Sequence, residues 1–163
     1  MRERLVVAAT RAFAEQGYAR VQVKAVCARA GVTTGALYHH FGGKPDLYHE
    51  VRKAQEARLS AAMADAARGA APGARAVRLA LLAAWDLTQA EGSQRLFAEP
   101  PAQAGSDALS GLVQALWPWA PAALGTVLIA AWLGALGDSL ANPHGDARLV
   151  LDGILRGLAG DVG

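Results

Sequence analysis

The stretch Ala30-Gly31-Val32-Thr33-Thr34-Gly35-Ala36-Leu37-Tyr38-His39-His40-Phe41 decides the fold. Gly31 tolerates a left-handed backbone, so it ends one helix and turns the chain. Val32 plugs the angle between two helices, and Thr33 is a preferred N-cap whose hydroxyl takes a free amide of the next helix. Leu37 and Phe41 stand four apart and point inward, leaving Thr34, Gly35, Ala36, Tyr38 and His39 on the outside of a short helix over 34–40. Before the turn, Val23, Val26, Cys27 and Ala30 form one apolar stripe, which predicts a helix over 22–30. Two short helices joined by a glycine turn make a helix-turn-helix.

Working outward, Leu5, Ala8, Ala9, Ala12 and Phe13 predict a helix over 3–16 that stops at Gly17. Downstream, Gly42 and Gly43 close the outer-faced helix, and Pro45 with Asp46 opens a long one reaching about residue 68. A break over 69–73 contains Pro72, and helices follow over 74–90, 107–117, 122–140 and from about 146, with a proline-containing loop over 99–105. The last helix sets Ala147, Val150, Leu151, Ile154, Leu155 and Leu158 on one broad apolar face. Helix 122–140 carries Ala130 and Gly134, and Ala131 and Ala135, four apart, so that another helix can approach closely. Two such helices per chain predict a four-helix bundle across a dyad. The interface residues are then Ala130, Ala131, Gly134, Val150, Leu151, Ile154 and Leu155, although the same side chains also suit a core within one chain.

The fold class expected is all-α: an N-terminal three-helix domain over 1–46 joined by a long helix to a helical ligand-binding and dimerisation domain over 47–163. Alanine-rich composition agrees, because alanine is the strongest intrinsic helix former, and no alternating β-branched run predicts a sheet. The net charge of +2 hides an uneven distribution: residues 1–53 hold nine Lys/Arg against four acids, the rest seven against ten. A basic head on a mildly acidic body is the pattern of a polyanion-binding module fused to a different function. Cys27 is the only cysteine, which rules out an intrachain disulfide, and the first residues lack an export signal, so a cytoplasmic protein is expected. The uncharged run 108–137 is broken by Pro118 and Pro121. Its remainder, 122–137, spans only about 24 Å as a helix against the roughly 30 Å of a hydrocarbon core. A buried helix is expected there, and no membrane partner.

From Arg4 to Val51 the chain resembles the N-terminal domain of the TetR family. The resemblance is carried by Ala12-Phe13-Ala14-Glu15-Gln16-Gly17-Tyr18, by the Ala30 to Phe41 stretch, and by Lys44-Pro45-Asp46-Leu47. Gln22 departs from it where a threonine usually caps the second helix, and Cys27 where alanine is usual. By position, Thr34, Gly35, Ala36 and His39 approach base edges, while Thr33, Tyr38, His40 and Lys44 are placed for phosphates. The resemblance implies a homodimer on a double-stranded, pseudo-palindromic operator, repressing until a small effector binds the body. Trp85, Asp86, Phe97, Trp117 and Trp132, with Trp119, are candidate lining for an apolar or cationic effector; the same aromatics also suit plain core packing. The alternative function is an effector-independent DNA-binding protein controlled by a protein partner or acting architecturally.

No cofactor or metal is expected, since adjacent His39 and His40 point about 100° apart on a helix. Nor is an enzyme. Gly137-Asp138-Ser139-Leu140 spells an esterase nucleophile block, but it follows no strand, and His144 is separated from Ser139 by the helix-ending Asn142-Pro143.

Overall fold

The computed structural model describes residues 1–100 and 107–160, and among them every regular element is a helix. The elements are α1 (Arg2–Arg20), α2 (Val23–Ala30), α3 (Thr34–His40), α4 (Lys44–Ala66), α5 (Ala74–Glu91), α6 (Gln94–Ala98), α7 (Asp107–Leu116), α8 (Leu124–Ala141) and α9 (Ala147–Ala159). The proline-containing loop expected over 99–105 lies, from Pro101 onward, outside the described residues.

The chain divides into two packing units. The head comprises Met1–Gln55 and Gly92–Ala104; the body comprises Glu56–Glu91 and Gly105–Gly163. The boundary read from sequence at residue 46 falls inside α4, whereas packing divides that helix after Gln55. Tyr48, Val51 and Arg52 explain the difference, because these α4 side chains are buried in the head.

In the head, α1 packs on α2, α3 and α6. Leu5, Phe13, Val26, Leu37, Leu47 and Leu96 are nearly or fully excluded from water. The first helix does not stop at Gly17: it bends there, at φ +74°, and resumes through Arg20. α6 was not expected from sequence. It is five residues long, and its buried Leu96 and Phe97 bring a late stretch of chain into the head.

In the body, α5 packs on α9, α7 on α8, and α8 on α9. Gly125 lets α8 close on α7, since a Cβ there would lie 2.3 Å from the Ser110 carbonyl oxygen. Trp132 is fully buried. Arg78 of α5 donates from Nε to Asp152 Oδ1 of α9 at 2.6 Å, and Arg156 holds the other oxygen at 2.8 Å. These guanidinium bonds hold the Asp152 carboxyl below its usual pKa, against the opposing effect of its burial.

Two sequence expectations need correction here. The helix expected to be buried, α8, hides only one face, Gly125, Leu128, Ile129, Trp132 and Leu136, because a single chain supplies only α7 and α9 as its main partners. At 18 residues α8 is long and apolar enough, by those two criteria alone, to cross a membrane. The broad apolar face of α9 is likewise split: Ala147, Leu151 and Leu155 pack inward, while Val150 and Ile154 are exposed and Leu158 is 41% exposed. Leu151 and Leu155 therefore belong to the core of their own chain rather than to a surface awaiting a partner.

Candidate nucleic-acid interface

The exposed helix α3 is built by local chemistry. Gly31 takes the left-handed conformation at φ +65°, and its amide closes on the carbonyl of Ala28 at 3.1 Å. Thr33 then caps α3, its hydroxyl oxygen accepting from the Ala36 amide at 3.2 Å. Its hydroxyl proton stays available for another acceptor. Gln22 occupies the cap position of α2 with no side-chain cap bond, as its longer side chain suggests. Cys27 is buried beneath α2, and burial pushes its thiol pKa up, away from thiolate chemistry.

Leu37 anchors α3 inside the head, and Thr33, Thr34, Gly35, Tyr38, His39 and His40 are exposed, with Ala36 half-buried. Tyr38 stands 59% exposed, which for a large aromatic in a small domain leaves a phenol offered to solvent. The His39 and His40 rings meet edge to face at 5.2 Å, and among the described residues no group of three metal-ligating side chains is gathered.

Lys44, expected from sequence to be placed for a phosphate, also makes contacts within the head. Its ammonium donates to the Ala19 carbonyl at 3.1 Å and sits 4.5 Å from the Tyr18 ring centre. Partial burial lowers its pKa. Tyr18 in turn packs edge-on against Tyr48 at 4.9 Å, and Tyr48 against Phe13 at 5.1 Å. Lys44 therefore ties the start of α4 to the end of α1.

A contact within the head that the sequence did not signal fixes α4 to α6. Tyr48 donates its hydroxyl to the Leu96 carbonyl at 2.7 Å, and the buried Arg52 donates to the same oxygen at 3.1 Å. The Arg52 guanidinium also covers the Phe97 ring at 4.4 Å. Burying a guanidinium is costly unless its donors are met, and here a helix-terminal carbonyl and a ring face meet them.

The candidate effector residues are dispersed. Phe97 is a head residue engaged with Arg52. Trp85 and Trp132 are buried in the body, Trp117 is half-buried at the end of α7, and Trp119 is 69% exposed. Asp86 is exposed and gripped by both arms of Arg148, at 2.8 and 2.9 Å, so its charge already has a partner. Of the dimer candidates, Ala130, Ala131, Gly134, Val150 and Ile154 are exposed. Several of them line a groove of about 320 Å³ between α8 and α9. Ser139 lies in the last turn of α8, and its hydroxyl donates to the Leu136 carbonyl at 2.8 Å.

A glycine-turned pair of helices with an exposed polar second helix is a helix-turn-helix. Residues 5–51 match the family model described as bacterial regulatory proteins, tetR family. Over this N-terminal segment the chain is similar to that family. Over 58 residues it is 34% identical to the HTH-type transcriptional regulator AcrR of Shigella flexneri, covering 36% of this chain and 27% of that protein. Against the HTH-type transcriptional repressor AcnR of Corynebacterium glutamicum it is 34% identical over 59 residues, 36% of this chain and 31% of the other. The matched stretch thus spans less than a third of either relative's length.

In structure the likeness runs further. The fatty acid degradation regulator FadR of Bacillus halodurans aligns over the whole of both chains with a TM-score of 0.74 at 14% identity. FadR of Bacillus subtilis, solved with stearoyl-CoA, does so at 0.69 and 15%. At such identities the body shares a fold with these proteins and nothing finer.

Proposed function

We propose that the protein is a DNA-binding transcriptional regulator that works as a homodimer, with α3 of each copy entering successive major grooves of a palindromic operator. The observation that supports this most is the exposed polar face of α3 on a +5 segment. Thr34, Gly35, Ala36 and His39 lie at base edges, where the small residues admit backbone or methyl contact. Thr33, Tyr38, His40 and Lys44 serve phosphates. Duplex affinity measured against salt tests this. Lys44→Ala is expected to weaken binding to every sequence and flatten the salt slope by about 1, while His39→Ala relaxes selectivity at one operator position. Wild-type affinity in both variants would defeat the assignment.

The partner copy is assigned to the exposed faces of α8 and α9. Val127, Val150 and Ile154 are each more than half exposed, and they flank the small residues Ala131 and Gly134. A second copy of the same surface covers them and gives the two reading heads a dyad. Ile154→Arg should sediment as a folded monomer; an intact dimer would place the interface elsewhere.

Repression relieved by a small effector is the regulatory reading. The fold accommodates a ligand in one solved neighbour, the stearoyl-CoA complex. In this chain the buried Trp85 and Trp132 make an apolar effector the better fit, since Asp86 is taken by Arg148. An effector acts only if it prefers the state that does not bind DNA. A compound that raises the thermal midpoint and releases operator DNA supports this; compounds that stabilise without releasing DNA favour the effector-independent alternative.

A further inference from the structure

Within the head, α1 and the end of α2 enclose a groove of about 400 Å³ that reading by α3 does not use. Arg4, Val7, Ala8 and Arg11 line it from α1, and Arg29 and Ala30 from α2; Glu3 is its one acid. Positions 4, 7, 8 and 11 share one face of a helix, so the pattern gathers two guanidiniums around an apolar floor and the neighbouring helix adds a third. None of the three is tied up in a strong internal pair. Arg4 reaches only the Gly31 carbonyl, at 3.4 Å. Arg29 shares an exposed Glu15 at 3.2 Å, a contact worth little in water. Arg11 has no hydrogen bond or ion pair among the described residues. Val7, between them, is 52% exposed.

Like charges brought together in a concavity, over carbon, focus the potential on whatever enters. A guanidinium fork matches the paired oxygens of a phosphate. We propose that this groove is a phosphate-binding site, in which a phosphate ester sets its charged head on Arg4, Arg11 and Arg29 and its carbon skeleton on Val7 and Ala8. The ester is either a phosphodiester of duplex DNA flanking the bases that α3 reads or a free phosphate monoester.

Full-length protein titrated with phenyl phosphate, followed by amide NMR, tests the site. Saturable shifts are expected at Val7, Ala8 and Ala30, absent with benzyl alcohol and at least tenfold weaker in the Arg11→Gln, Arg29→Gln double variant. The same variant is titrated with duplex DNA across a salt series. A salt slope reduced by about 1 to 2 identifies the phosphate as DNA's; an unchanged slope with lost phenyl phosphate binding identifies a free ester. If the groove amides do not move, or move equally in the variant, and the salt slope is also unchanged, the proposal fails. Should the double variant unfold, Arg11→Gln alone serves, since that side chain is exposed and holds nothing else in place.

Discussion

The head and the body reach helical structure by different routes. In the head each change of direction has a residue that compels it: Gly31 at positive φ, Thr33 bonded to the Ala36 amide, and Gly17 at the bend of α1. In the body, helices are held mainly by apolar volume, with Trp132 of α8 fully buried and Asp152 as the principal buried charge. Constraints of the first kind act over three or four residues and leave a recognisable string. Constraints of the second kind are met by many sequences, which is why sequence similarity to AcrR and AcnR covers 36% of the chain while similarity of fold to FadR covers all of it.

That contrast can be broken or sharpened by substitution. Trp132→Ala should destabilise the protein by about 3–5 kcal/mol, the cost of a large cavity in the core. Urea unfolding measures it, and a loss below about 1 kcal/mol would mean that the body is not held by volume. Asp152→Asn comes next, at about 1–3 kcal/mol near neutral pH, because Arg78 and Arg156 lose a charged acceptor. The carboxyl's pKa is lowered in the folded state, so its contribution is present above the ordinary carboxylate range and lost as pH falls through the lowered value. Stability of the wild type should therefore drop on acidification below about pH 4 more steeply than that of Asp152→Asn; parallel curves would refute the linkage. The smallest effects belong to the head's caps. Thr33→Ala should cost about 1 kcal/mol and Gln22→Thr should return about 0.5 kcal/mol, both read by thermal unfolding. Equal and null effects would show that capping does not shape the head.

What the sequence disclosed follows the same division. The bounds of α3 and its cap were legible because Gly31, Thr33, Leu37 and Phe41 act within one turn of each other. The exposure of Thr34, Gly35, Tyr38 and His39 followed from that register. α6 was not legible: five residues between Ser93 and Glu99 are too few to display a helical period, and Leu96 and Phe97 are buried by contacts with distant α1 and α4. The engagement of Lys44 with Ala19 was invisible for the same reason, since a lysine's reach is not written in its neighbours. The α9 stripe was found correctly as apolar, but whether a given residue faces α5 or the exterior depends on how the helix is rotated, which put Leu151 inside and Ile154 outside.

The clasp of Tyr48 and Arg52 on the Leu96 carbonyl bears on modularity. The family-matched segment ends at residue 51, yet the head that packs around it borrows Gly92–Ala104 from the far side of α5. A cassette cut at the end of the match would carry α3 away without the carbonyl that Tyr48 and Arg52 hold and without the ring that covers Arg52. Transfer of this head to another body of the same fold is therefore constrained by a splice site the matched segment does not contain.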